Sequence, residues 1–120
     1  MTKPYHTALR SMRVNAGLTQ DDLARILGTG GRSYIAMLES GDRVPHVRDT
    51  VLLSMLFGTN EAKLFPHLYL STKELFQSNM RALIEADLTQ NDDKNSERLR
   101  YLRDALTTLE LQESVIQTVL

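Results

Sequence analysis

Four side-chain groups in this 120-residue chain have the types and placing to do chemistry on a partner. Gln20 stands at the expected start of a helix, where a side-chain amide and free backbone N–H groups can hold a phosphate. Arg32 and Ser33 open another expected helix. An arginine there can donate two hydrogen bonds to a guanine edge, or it can be an ordinary surface cation. Ser33 can bond a base or a phosphate. Arg43 lies in a loop, and Arg10 and Arg13 lie on the first helix. These two arginines can reach a phosphate backbone or pair with acidic neighbours. Taken alone, Gln20 carries no signal and Arg32 reads first as an ordinary surface arginine.

Covalent catalysis has no comparable set. There is no cysteine, so neither a disulfide framework nor a thiolate metal site is possible. His6, His46 and His67 are far apart and lack metal-ligand spacing. Gly28-Thr29-Gly30-Gly31-Arg32 lacks the lysine spacing of a phosphate-cradling loop, and no serine sits in a nucleophile elbow. Asp92-Asp93 lacks the glycine and glutamate of a calcium loop, and reads as solvated. We therefore expect no enzyme, no catalytic residue, no metal and no cofactor.

Composition sets wider bounds. The chain is 42% hydrophobic and 24% charged, as in ordinary globular proteins. Its formal net charge is -1, so bulk charge announces no nucleic-acid partner. The distribution is slightly more informative, although chance alone produces a bias this small as readily as a DNA-binding head with a non-contacting tail does. Residues 1–65 carry 8 Lys+Arg against 6 Asp+Glu, and residues 66–120 carry 6 against 9. No apolar run approaches the roughly 20 residues needed to span a bilayer. The first residues lack a signal-peptide core. The expectation is a cytoplasmic protein with no membrane partner.

The elements that must position these residues read as helices throughout. A first helix runs from about Pro4 to Asn15, with Ala8, Leu9, Met12 and Ala16 on one face and Gly17 closing it. Thr19 caps a second, which carries Leu23, Ala24, Ile26 and Leu27 and stops at Gly28. A third runs from about Arg32 to Ser40, with Ile35 and Leu38 inward and Gly41 ending it. The fourth spans Val47 to Phe57 and ends at Gly58. Asn60 caps a fifth through Phe65. Ser71 and Glu74 have capping-box spacing and are expected to open a sixth. Its stripe is Phe76, Met80, Leu83, Ile84 and Leu88. Thr89 to Ser96 reads as a loop. The last helix starts near Ser96, and Leu99, Leu102, Leu106 and Leu109 form a coiled-coil seam. That rhythm continues through Glu113, Ile116 and Leu120, so it breaks once. Val115 to Leu120 is the one stretch where a strand is conceivable. Met37, Met55 and Met80 read as core or gap-filling residues.

The residues from Leu9 to Phe65 add something more specific. They include Leu9-Arg10, Arg13, Gly17-Leu18-Thr19-Gln20, Leu23-Ala24 and Leu27-Gly28. Then come Ser33-Tyr34-Ile35, Leu38-Glu39, Gly41, Pro45 and Leu64-Phe65. This set resembles the lambda-repressor-like (phage repressor, or XRE-type) helix-turn-helix family. The resemblance covers about half the chain and does not extend past about Leu68.

It implies a five-helix lambda-repressor-like helix-turn-helix head over residues 1–68; together with the two helices read from periodicity after it, the expected fold is all-α, with a two-helix C-terminal extension over 69–120. It implies that the third helix enters the major groove, with Arg32, Ser33, Ala36 and Met37 nearest the bases. Ala36 and Met37 would offer apolar contact, for example to a thymine methyl. Gln20 would bind a phosphate, and Arg43 the backbone. Arg10 and Arg13 would contact the backbone or pair with acids. Tyr34 would pack on the head or touch a phosphate. Glu39 matches a structural glutamate. One departure stands out: Thr29-Gly30-Gly31 holds one residue more than the family usual, in the turn before the reading helix. Two adjacent glycines can absorb it.

The expected partner is double-stranded DNA, bound at a palindromic operator by a homodimer that acts in transcription regulation as a repressor. The C-terminal helices either complete one core with the head or mediate dimerisation. The alternative is an antitoxin-like or adaptor interaction module, which neutralises a protein partner through residues 69–120.

Overall fold

The computed structural model describes residues 7–28, 31–90 and 96–119, with side chains to residue 112. The expected beginning at Pro4, His6, the turn residues Thr29 and Gly30, Asp92-Asp93, and the seam side chains of Glu113, Ile116 and Leu120 lie outside that set. Among the described residues there are seven helices and no strand. They are α1 (Leu9–Asn15), α2 (Gln20–Leu27), α3 (Gly31–Ser40), α4 (Val47–Phe57), α5 (Glu61–Leu64), α6 (Pro66–Gln90) and α7 (Glu97–Val119). The fold class is all-α, as expected.

Local chemistry sets most of these boundaries. The Thr19 hydroxyl accepts from the Asp22 backbone N–H at 3.0 Å, and the Asp22 carboxylate accepts from the Thr19 N–H at 2.8 Å. This reciprocal box satisfies two donors that would otherwise be orphaned at the α2 start. Asn60 accepts from the Lys63 N–H at 3.0 Å, a one-way cap that opens α5. Gly28 ends α2 with φ of 70°, a left-handed conformation that suits glycine.

The chain divides into two compact units, residues 1–72 and 73–120, with α6 contributing to both. The first unit has a continuous core. Leu9, Leu23, Leu27, Tyr34, Ile35, Leu38, Leu53, Leu64 and Phe65 are buried together. Each large apolar side chain contributes roughly 1.5–3 kcal/mol when removed from water. These residues come from all of α1 to α5 and the residue that follows, so the core fixes the short helices against one another. The Ala8 N–H donates to the Leu64 carbonyl at 2.9 Å, joining the chain before α1 to the end of α5.

In the second unit, Leu99 of α7 is fully buried, while Leu102, Leu106 and Leu109 are half-buried. Arg98 donates to Asp87 at 2.8 Å, and Arg81 pairs with Glu110 at 3.6 Å. Both pairs link α6 and α7, and both arginines are largely exposed, so each bond is worth little by itself. Ser96 caps α7, accepting from the Leu99 N–H at 3.2 Å.

Four expectations need correction. The first helix, expected from about Pro4, starts at Leu9: Thr7 and Ala8 are described and not helical, and Ala8 is the residue before the first turn. Ser71 and Glu74 do not open a helix. The helix already begins at Pro66, a residue suited to a first turn because it needs no N–H partner. Ser71 lies inside it and donates to the Leu68 carbonyl at 3.1 Å. No strand forms near the end, because α7 continues to Val119. Met55 is not a core residue: it is 74% exposed, since Leu53 takes the inward place on α4.

Candidate nucleic-acid interface

The third helix has two faces. Tyr34, Ile35 and Leu38 point into the core, while Arg32, Ser33 and Ala36 are exposed and Met37 is half-buried. Three-and-four spacing puts the inward residues on one side and the free ones on the other. The outward face begins with the cation and hydroxyl singled out in the sequence. Arg32 is exposed and has no ion-pair partner among the described residues.

Beside this face lies an open polar cleft of about 560 Å³. Its wall brings together Arg10 and Arg13 of α1, Gln20 and Asp21 of α2, and Arg32, Glu39 and Ser40 of α3. Residues 10, 20 and 32 are distant in sequence and meet here. Arg10 and Arg32 are exposed, and Gln20 is half-buried.

Glu39 organises the floor of the cleft. Its carboxylate accepts from Arg13 Nε at 2.5 Å and Nη2 at 3.2 Å, and from Gln20 Nε2 at 3.0 Å. Arg13 Nη1 also donates to the Leu18 carbonyl at 3.0 Å. The Arg13 guanidinium is raised above its ordinary pKa, chiefly by its hydrogen bond to Glu39. Thus Arg13 takes the second of its two expected roles and pairs with an acid. Gln20 keeps one amide hydrogen and its carbonyl oxygen for a ligand. Glu39 has the structural placing that the resemblance implied. Its backbone carbonyl accepts from the Thr7 hydroxyl at 2.6 Å, which adds a further tie to the chain before α1.

The Asp22 carboxyl is held below its usual pKa by hydrogen bonds from Thr19, the backbone N–H first and then the hydroxyl. It stays charged at the positive end of α2, where a negative charge is favoured.

Tyr34 takes the packed one of its two expected roles. The residue is 6% exposed, and its hydroxyl donates to Asp49 Oδ2 at 2.6 Å. Burial first, and then this bond, push the phenol above its ordinary pKa. Sequence reading missed Asp49. A carboxylate on the first turn of a helix reads as a surface residue, and nothing local marks it as the partner of a tyrosine 15 positions earlier.

Arg43 is exposed, and its guanidinium lies 5.6 Å from the centre of the Tyr34 ring. A separate apolar groove, lined by Pro45, Val47, Val51, Phe65 and Leu68 among others, has Glu61 as its only charged lining residue among the described residues and shares none with the cationic cleft. Among the described residues no cluster of His, Asp and Glu could hold a metal ion. No described helix is long and apolar enough to cross a membrane.

Residues 7–71, more than half the chain, match a family model described as a helix-turn-helix domain. No curated protein and no solved structure gives a significant match to the chain.

Proposed function

Because this chain belongs to the helix-turn-helix domain family, of the lambda-repressor-like kind, we propose that it is a sequence-specific transcriptional regulator that represses a promoter by occupying a palindromic operator as a homodimer. The family supports the coarser part, a DNA-binding regulator. The observation that carries the reading is the outward face of α3. Arg32, Ser33 and Ala36 are free on it, and it borders the cleft that also contains Arg10 and Gln20.

In this reading α3 enters the major groove by its N-terminal end. Arg32 reads a base by two parallel hydrogen bonds, most suitably guanine O6 and N7. Ser33 bonds a base or phosphate, and Ala36 and Met37 pack on a thymine methyl. Gln20 binds a phosphate with the amide hydrogen that Glu39 leaves free, beside the N-terminus of α2. Arg10 and Arg43 neutralise further phosphates. The protein works in the cytoplasm and performs no catalysis.

One head contacts few phosphates, so two heads on half-sites about 34–36 Å apart would multiply affinity. The second unit is the proposed dimerisation element. In support, Leu75, Phe76 and Leu83 of α6 and Tyr101 of α7 are 61%, 39%, 39% and 75% exposed, a large apolar surface for one small helical unit.

Binding to a labelled duplex from upstream of the protein's own gene, beside a scrambled duplex and over a salt series, tests the function. Preference for the upstream duplex, weakening with salt, is the expected result. Absence of binding to any duplex at low salt would reject the regulator reading. It would then favour the interaction module acting through residues 69–120.

A further inference from the structure

The buried carboxylate of Asp49 makes one bond that the proposed DNA contacts leave unexplained. The residue is 3% exposed, and Tyr34 donates to it at 2.6 Å. It lies in the first turn of α4, where the helix dipole favours a negative charge. A leucine and phenylalanine pair would fill similar space without the cost of burying polar groups. What a satisfied buried polar pair adds is a single defined arrangement. Here the thing arranged is the Tyr34 ring.

That ring carries other groups. The Arg43 guanidinium is 5.6 Å from its centre, within the range of a cation–π contact. The His46 ring is stacked on it at 6.2 Å, with 28° between planes. The backbone delivers Arg43 to this place. Gly41 is left-handed, with φ of 82°. The next two N–H groups, of Asp42 and Arg43, both donate to the Met37 carbonyl, at 3.0 and 3.3 Å. The chain therefore turns back at the end of α3. Arg43 is exposed and has no ion-pair partner among the described residues. A free arginine loses much side-chain entropy on gripping a phosphate. One already resting on a fixed ring loses less.

We propose that Asp49 is a positioning residue for nucleic-acid binding: by holding the Tyr34 hydroxyl it fixes the ring on which Arg43 rests, and so presents Arg43 to a backbone phosphate beside the reading helix. The inference rests on the DNA-binding reading above and adds a residue that touches no DNA.

The test uses the full chain, a duplex that the wild type binds, and the slope of log affinity against log salt. Each phosphate neutralised contributes about 0.9 to that slope. Arg43→Ala should lower the slope by about 0.9. Tyr34→Phe combined with Asp49→Leu removes both partners of that bond and keeps the ring, and the His46 backbone N–H, which also bonds the Tyr34 hydroxyl, loses that acceptor on an exposed residue. It should lower the slope by a similar amount, with a far-UV spectrum and a melting temperature close to the wild type. Asp49→Asn keeps an acceptor for the hydroxyl and should restore the wild-type slope. A purely structural role for Asp49 would change affinity and leave the slope intact.

A folded double variant with the wild-type slope would overturn the proposal, as would an unchanged slope for Arg43→Ala. In either case wild-type binding survives and the regulator reading stands. Loss of that reading shows separately, as a wild type that binds no duplex.

Discussion

Arg13 of α1 and Glu39 of α3 face each other in a two-pronged ion pair, Nε to Oε2 at 2.5 Å and Nη2 to Oε1 at 3.2 Å. Their side chains are only 12% and 5% exposed. The same carboxylate holds the Gln20 amide, so one residue near the end of α3 ties α1 and the start of α2 to it.

Removing the carboxylate leaves a poorly hydrated guanidinium without its partner. Glu39→Ala should destabilise the protein by about 3 kcal/mol, the low end for breaking a buried pair, because the pair borders an open cleft. Urea unfolding at neutral pH measures this. Replacing both residues, as Arg13→Met with Glu39→Leu, should recover much of the loss.

The contact residues should separate by the kind of DNA they discriminate. Arg32→Ala removes a base reader, and should cost about 1–3 kcal/mol on the preferred site with little loss on random duplex. Gln20→Ala removes a phosphate ligand and should weaken all duplexes alike. Paired titrations on specific and scrambled DNA give both numbers. Equal losses for Arg32→Ala would reject its base-reading role.

The Thr19–Asp22 box predicts a pH dependence of stability. The Asp22 carboxyl is depressed in the folded state, so its contribution is complete above the ordinary carboxylate pKa of about 3.9. It disappears as pH falls through the lower folded value. Melting temperatures between pH 2 and 6 should therefore fall more steeply for the wild type than for Asp22→Asn. At neutral pH, Thr19→Ala should cost about 1 kcal/mol as a lost cap.

The dimer proposal has its own readout. Sedimentation equilibrium of the full chain should give the mass of two copies. Phe76→Glu with Leu83→Glu places charges on the exposed stripe of α6 and should give the mass of one, with helical content retained. A double variant that kept the two-copy mass would move the interface elsewhere on the molecule.

Most boundaries of the short helices were legible in the sequence because their causes are local; the start of α1 at Leu9, expected near Pro4, was not. A cap bond spans three residues, as from Thr19 to Asp22 or Asn60 to Lys63. A left-handed glycine ends a helix through its own backbone, as Gly28 does. The inward set of Leu23, Leu27, Ile35 and Leu38 follows from helical spacing, and all four are buried. Local spacing was not sufficient for Ser71, whose capping-box pattern lies inside a helix begun at Pro66, because a pattern of residue types does not say where the preceding turn of helix stops.

Tertiary structure decided which of the expected contact residues are free. Arg10 and Arg13 are three apart on one short helix, yet one is exposed and the other committed to Glu39, 26 positions away. Tyr34 and Arg43 divide in the same manner, the first held by Asp49 and the second resting on its ring. Residue type states what a side chain can bond. Its partner is set by which helix the shared core packs against it, and that depends on the whole of residues 9–65 collapsing around a common set of apolar side chains.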